Sequence, residues 1–128
     1  MILACPALEV GTFLLVFINS DKQRRVPAHQ SRSIHLFILV LSAIAITLNG
    51  DKVATSSEKG QNIRIFSVET GDMIQEFRRG NEYAMIYSMS FSKGGNWLSC
   101  SSDLMVFWSF TFSPFGKFKI GSVPLRSW

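Results

Sequence analysis

The sequence has little of what most enzymes and metalloproteins need. It carries two cysteines and two histidines in 128 residues, and neither type occurs at the spacing of a metal site. No nucleophile–histidine–acid set, carboxylate pair or glycine-rich phosphate loop is recognisable. We therefore expect no enzymatic activity and no cofactor or metal. Because Cys5 and Cys100 form no disulfide framework, both are expected to be free thiols in a reducing compartment.

Apolar runs are present but short. Residues 36–48 form a run of 13 positions, whereas a membrane-spanning helix needs about 20. A second run covers residues 13–18, and the N-terminal residues lack the basic segment of a signal peptide. We interpret both runs as buried strands, with an aberrant hydrophobic insert as the alternative for the run at 36–48.

Charged residues are also sparse, at 17% of the chain against 47% hydrophobic residues, which is enough apolar material for one domain with a core. The net charge of +4 and the pI near 9.4 favour anionic partners such as lipid headgroups or nucleic acid. The basic residues are not interleaved with stacking aromatics along one strand. Nucleic-acid binding is therefore the weaker of these two interpretations.

An internal repeat organises the chain, with a constant offset of 45 residues. Residues 44–47 and 50–58 match residues 89–92 and 95–103. Each copy has an apolar strand, a glycine-centred turn, a second strand that ends in Ser-Ser, and an acidic residue. No segment has a helical 3.6-residue apolar period, so the predicted class is all-β. A period of about 40 to 45 residues with several short strands is typical of a β-propeller blade.

Two adjacent arginines, Arg78 and Arg79, follow the last predicted strand of the first repeat unit, residues 73–77. Successive side chains of an extended backbone leave on opposite sides, so the two guanidinium groups should reach into two different pockets. Because a guanidinium can hold phosphate through two parallel hydrogen bonds, the pattern predicts two neighbouring anion sites. A solvated arginine pair after an edge strand is the alternative.

The order of these motifs resembles one family. The matching segments are residues 53–60, 63–66, the Gln-Glu-Phe-Arg-Arg-Gly segment 75–80, and residues 86–92. Val26-Pro27-Ala28-His29 and Leu3-Ala4-Cys5-Pro6 are similar to the blade that precedes them in the same family. That family is the PROPPINs, autophagy-related WD-repeat propellers that bind polyphosphoinositides.

The resemblance implies a fold and a set of binding residues. Family members are seven-bladed propellers that bind phosphatidylinositol 3-phosphate and phosphatidylinositol 3,5-bisphosphate in two sites beside the double arginine. Carried over by match, the first site would contain His29, Ser57, Lys59 and Arg78. The second site would contain Arg79, Ser101 and Ser102. Without the resemblance, Ser57 and Ser102 are better explained as small strand-end residues and His29 as a packed blade histidine.

The chain also departs from the family pattern. Residues 32–41 interrupt the family spacing, which would be restored if Ser31 were joined directly to Ser42. Gln61 stands where a threonine is usual in the family. After Asp103 the family pattern is lost. We expect residues 1–31 to be the end of a preceding blade and its connection, 32–41 a non-family insert, 42–80 a blade ending in Phe-Arg-Arg-Gly, 81–103 the first part of the next blade, and 104–128 a divergent tail. This organisation predicts a truncated or mis-spliced product of a propeller gene.

The expected fold is thus a partial β-propeller with about two four-stranded blades and flanking fragments. The resemblance implies a membrane-recruited scaffold that binds phosphoinositide-containing membranes and, through the propeller rim, autophagy-machinery proteins. We expect truncation to impair this activity. It also implies a cytoplasmic protein, peripheral on autophagosomal precursor, endosomal or vacuolar membranes, with no nucleic-acid partner. The alternatives are a non-functional fragment and a basic nucleic-acid-binding β module.

Overall fold

The computed structural model describes residues 1–29, 40–104, 106–111 and 121–124, the last two ranges as backbone. The regular elements in these ranges are all β-strands, which confirms the predicted class. They are β1 (Ile2–Pro6), β2 (Thr12–Phe17), β3 (Lys22–Pro27), β4 (Leu41–Ile46), β5 (Lys52–Ser57), β6 (Asn62–Ser67), β7 (Met73–Arg78), β8 (Ile86–Phe91), β9 (Trp97–Ser102), β10 (Val106–Thr111) and β11 (Gly121–Pro124). Within the described ranges, no helix has the length and apolar character needed to cross a bilayer.

The strands form three antiparallel sheets in which consecutive strands are neighbours. The first sheet has the order β1-β2-β3, the second β4-β5-β6-β7, and the third β8-β9-β10-β11. Residues 2–27, predicted as the end of a preceding blade, thus form a three-stranded sheet. Two four-stranded sheets and a flanking sheet agree with the predicted partial propeller.

The 45-residue repeat is confirmed in the strand register. In the second sheet Ile44 pairs with Thr55, and in the third Met89 pairs with Cys100 at the same offset. Each pair of inner strands has a register shift, between Leu41 and Ala43 in the first copy and between Ile86 and Ser88 in the second. The residues at the ends of these strands are also equivalent in the two copies, because Leu41 pairs with Ser57 and Ile86 pairs with Ser102.

The turns of the two copies use the same chemistry. The Lys52 amide donates to the Thr47 hydroxyl at 3.1 Å, and the Trp97 amide donates to the Ser92 hydroxyl at 3.1 Å. Gly50 and Gly95 hold φ angles of 74° and 69° in these turns, a region that L side chains rarely adopt. Polar turn residues and a glycine at a fixed offset therefore account for the sequence signal of the repeat.

Two apolar cores join the three sheets. One lies between the first and second sheets and is formed by Phe13, Leu15, Val26, Ala28, Val53, Phe66 and Val68. The other lies between the second and third sheets and is formed by Ala54, Ile63, Ile65, Phe77, Ile86, Met89, Leu98 and Cys100. Because adjacent residues Val53 and Ala54 serve different cores, the second sheet is covered on both faces.

Two predicted segments meet the described residues only in part. Residues 32–39 of the predicted insert lie outside them, whereas Leu41 begins β4 and pairs with Ser57. In the predicted tail, Val106–Thr111 and Gly121–Pro124 are the third and fourth strands of the third sheet. The third sheet therefore extends beyond Asp103.

Candidate functional site

The second sheet packs against the first sheet on one face and against the third sheet on the other. At the end where β7 stops, we call the space between the first and second sheets groove one, and the space between the second and third sheets groove two. Ser57 continues the face of β5 that carries Val53 toward the first sheet. Ser102 continues the face of β9 that carries Leu98 and Cys100 toward the second sheet. The register equivalence of the two serines makes the grooves repeat copies of each other.

A row of polar residues crosses the second sheet in groove one. Asn62 pairs with Arg78 across β6 and β7, and Ser57 lies next to Asn62 because Ser56 pairs with Ile63. Neighbouring strands are about 4.8 Å apart, so the Cα atoms of Ser57 and Arg78 are about 10 Å apart. Arg78 is exposed, and its guanidinium donates a hydrogen bond to the Asn81 side-chain oxygen.

His29 reaches groove one from the end of the first sheet. Its side chain is 3% exposed, and Nε2 lies 3.1 Å from the Thr55 hydroxyl. Burial, followed by the nearby Arg64 cation, lowers the pKa of His29 from 6.5 to about 4, against the raising effects of Thr55 and Glu76. His29 is therefore neutral at physiological pH and offers groove one a hydrogen-bonding group rather than a charge.

Lys59 belongs to a tight turn that packs against the loop after β7. Its ammonium lies 5.5 Å from the centroid of the Tyr83 ring, and its carbonyl accepts a hydrogen bond from the Ala84 amide at 3.1 Å. Gly60, at φ +60°, permits this approach, since a Cβ there would lie 1.6 Å from the Ala84 carbonyl oxygen. The turn and the loop therefore form one unit in which Lys59 sits near the edge of the second sheet.

Arg79 leaves the chain in a different direction from Arg78 and is 8% exposed. Its Nε donates to the Gly60 carbonyl at 2.7 Å, and its guanidinium also donates to the Glu82 carbonyl. Its backbone amide donates to the Gln61 carbonyl at 2.7 Å. Arg78 and Arg79 thus have different partners, and Arg79 fastens the loop to the turn, a role that the sequence did not indicate.

The two serines predicted for the second site separate in the structure. Ser102 is 6% exposed, and its hydroxyl has no hydrogen-bond partner within the described residues. Ser101 pairs with Ser88 and Phe107 and, as the preceding residue of the strand, points to the opposite face of the third sheet. The structure thus places Ser102, and not Ser101, on the face toward the second sheet.

Sequence reasoning missed Arg64, which lies in the middle of β6 on the face toward groove one. It pairs with Thr55 on one side and Glu76 on the other. The available signal was its position between Ile63 and Ile65, because two buried isoleucines at alternate positions put the residue between them on the other face. No group of three metal-ligating side chains comes together in the part of the chain that the structure describes.

Comparisons with known proteins bear on the family and the fold of the chain. Residues 7–115 match the PROPPIN family pattern. Autophagy-related protein 18e of Arabidopsis thaliana is 34% identical over 102 residues, which are 80% of this chain and 25% of that protein. WD repeat domain phosphoinositide-interacting protein 2 of Gallus gallus is 41% identical over 87 residues, which are 67% of this chain and 18% of that protein. The crystal structure of Kluyveromyces marxianus Hsv2 aligns with a TM-score of 0.76 at 26% identity, over 88% of this chain and 35% of Hsv2.

The repeated four-stranded sheets and the structural match define a part of a β-propeller. The match over residues 7–115 and the sequence relatives place the chain more closely: it belongs to the PROPPIN family. The chain spans about a quarter of the length of the autophagy-related relative and about a third of Hsv2.

Proposed function

We propose that the chain binds phosphoinositide headgroups in groove one and groove two and acts as a membrane-recruited scaffold in autophagy. The observation that carries this proposal is the exposed Arg78 guanidinium, set in a row with Ser57 on the face that His29 also reaches. A relative that is 41% identical over 87 residues is named as phosphoinositide-interacting. Phosphatidylinositol 3-phosphate and phosphatidylinositol 3,5-bisphosphate are the expected lipids.

Groove one has the chemistry that a phosphate monoester requires. Arg78 supplies a planar fork of donors that can engage two phosphate oxygens at once. Ser57 supplies a hydroxyl, and Lys59 adds a compact charge at the end of the same strand. His29, which is neutral at physiological pH, would add a hydrogen-bonding group rather than a third cation.

Groove two is the weaker of the two proposed sites. Its arginine, Arg79, is already hydrogen-bonded to the carbonyls of Gly60 and Glu82, and a phosphate would have to compete with both. The Ser102 hydroxyl has no partner within the described residues, but it is buried and would have to become exposed before a ligand oxygen could reach it. Occupancy of groove two should therefore require a higher headgroup concentration than occupancy of groove one.

The proposed lipids set the expected location and partners. The chain would be a cytoplasmic protein, peripheral on autophagosomal precursor, endosomal or vacuolar membranes. Autophagy-machinery proteins would contact the outer strands of the sheets, which form the rim of a propeller. The autophagy-related names of relatives support this cellular setting.

Vesicle binding tests the proposal. We expect the 128-residue chain to sediment with vesicles that contain phosphatidylinositol 3-phosphate, and Arg78→Thr to weaken binding by at least about tenfold, since hydrogen bonds to a charged group contribute roughly 1.5–3 kcal/mol. The matched control is Arg25→Thr, which removes the same charge from an exposed position of the first sheet. Equal loss in both variants would overturn the assignment of binding to Arg78, because only net charge would then matter.

A further inference from the structure

Arg64 is a charged residue in the middle of a strand whose neighbours are fully buried. Its side chain is 26% exposed, and it points toward the first sheet on the same face as Arg78 and Ser57. On either side, Thr55 and Glu76 are its strand partners. A guanidinium in this position is costly unless its donors are paired, so its contacts indicate its role.

The contacts of Arg64 join two sheets. Its Nη1 donates to the Ala28 carbonyl at 2.5 Å, and its Nε donates to the Glu76 carboxylate at 2.6 Å. Ala28 belongs to the first sheet's exit segment and immediately precedes His29, whose Nε2 meets Thr55 at 3.1 Å. Arg64 therefore fixes the peptide group from which His29 enters groove one.

We propose that Arg64 is a positioning residue of groove one: it holds the Ala28–His29 peptide against the second sheet and so keeps the His29 ring at Thr55, on the face that carries Ser57 and Arg78. This inference rests on the proposed function, because groove one must bind a headgroup for the position of His29 to matter. Arg64 acts through His29 and the sheet junction.

The geometry favours this role over that of an ordinary ion pair. The chain offers a comparison in Arg25 and Glu9, whose closest atoms are 3.2 Å apart and whose side chains are 69% and 61% exposed. Exposed pairs of that kind contribute little. Arg64 differs because its second donor binds a backbone carbonyl on the other sheet, a contact that a lysine ammonium on the same stem reproduces poorly while also meeting Glu76.

The charges around His29 make the proposal measurable without lipid. Arg64 lowers the pKa of His29 and Glu76 raises it. In Arg64→Gln the His29 pKa should therefore rise. In Glu76→Gln the amide oxygen still accepts from Arg64, the cation remains, and the His29 pKa should fall. If Arg64 only stabilised the fold, both variants would loosen the junction and move the His29 pKa upward toward 6.5.

The decisive experiment titrates His29 by NMR in the native chain and in Arg64→Gln, Glu76→Gln and Arg25→Gln. We expect an upward shift, a downward shift and no shift, respectively. Upward shifts in both Arg64→Gln and Glu76→Gln would overturn the positioning role.

A parallel binding measurement uses vesicles with phosphatidylinositol 3-phosphate. Arg64→Gln should weaken binding about tenfold, the loss expected when one charged hydrogen-bond set is displaced, and Arg25→Gln should leave it unchanged. Native-like binding by Arg64→Gln would overturn this inference alone. Failure of the native chain to bind would instead overturn the proposed function, and with it the lipid-binding part of the inference.

Discussion

Arg78 and Arg79 are adjacent in sequence, but they differ in burial and in hydrogen-bond partners. Arg78 is exposed, and its guanidinium donates a hydrogen bond to the Asn81 side-chain oxygen at the surface. Arg79 is 8% exposed and fastens the loop after β7 to the turn that contains Gly60. We therefore expect Arg79→Ala to lower the free energy of unfolding strongly and Arg78→Ala to leave it almost unchanged.

The expected size of the effect follows from the hydrogen bonds. Arg79→Ala removes two bonds from a charged donor to carbonyl oxygens, worth about 1.5–3 kcal/mol each, so the loss should be roughly 3–6 kcal/mol. A domain of this kind is stable by about 5–15 kcal/mol, which makes the loss a large fraction of the total. Arg78→Ala is a surface change and should stay within about 0.5 kcal/mol.

Urea unfolding followed by far-UV circular dichroism measures both variants against the native chain. Arg79→Lys is the matched control, because it keeps the charge but cannot reproduce the forked contact with two carbonyls. It should therefore recover only part of the loss. Equal stability of Arg78→Ala and Arg79→Ala, or full recovery by Arg79→Lys, would refute the assignment of Arg79 to the loop.

Three further predictions concern His29, Gly60 and salt. Burial depresses the pKa of His29 in the folded chain to about 4, so the neutral ring contributes about 3 kcal/mol to the free energy of unfolding above pH 6.5, and this contribution is lost as the pH falls through 4. His29→Gln should therefore show a smaller difference in urea midpoint between pH 7 and pH 4 than the native chain. An unchanged difference would contradict this prediction. Gly60→Ala should destabilise the chain, since its Cβ would lie 1.6 Å from the Ala84 carbonyl oxygen, whereas Gly80→Ala meets nothing within 4 Å and should be tolerated in the same unfolding assay. Vesicle binding should weaken as salt rises above about 0.15 M, because the contacts are electrostatic, and salt-insensitive binding would argue against the arginine grooves.

The repeat explains why so much of the fold could be predicted. Alternating apolar residues, Gly50 and Gly95, and the paired Ser-Ser ends are local signals that depend only on strand period and turn geometry. They predicted the inner strands without knowledge of tertiary contacts. The strands at 106–111 and 121–124 were not predicted, because no repeat copy or turn signal there was recognised.

The candidate site was predictable only in part. Sequence placed Arg78 and Arg79 on different sides, since strand alternation is a local property. It did not reveal the burial of Arg79, because its acceptors, the carbonyls of Gly60 and Glu82, are brought together by the packing of a turn on a loop. Arg64 was missed for the same reason, because the hydrogen bond that defines its proposed role is made to the Ala28 carbonyl, 36 residues away in the chain.

The central claim is that groove one is a phosphate-binding site built from residues on two sheets. It is tested most directly by titrating the isotope-labelled chain with inositol 1,3-bisphosphate, the soluble headgroup of phosphatidylinositol 3-phosphate, and following the backbone amides by NMR. We predict saturable shifts at Ser57 and Arg78, at lower concentrations than those at Arg79 and Ser102, and their loss in Arg78→Ala. Absence of shifts at Ser57 and Arg78 in a folded chain, or equal shifts in Arg78→Ala, would contradict the account.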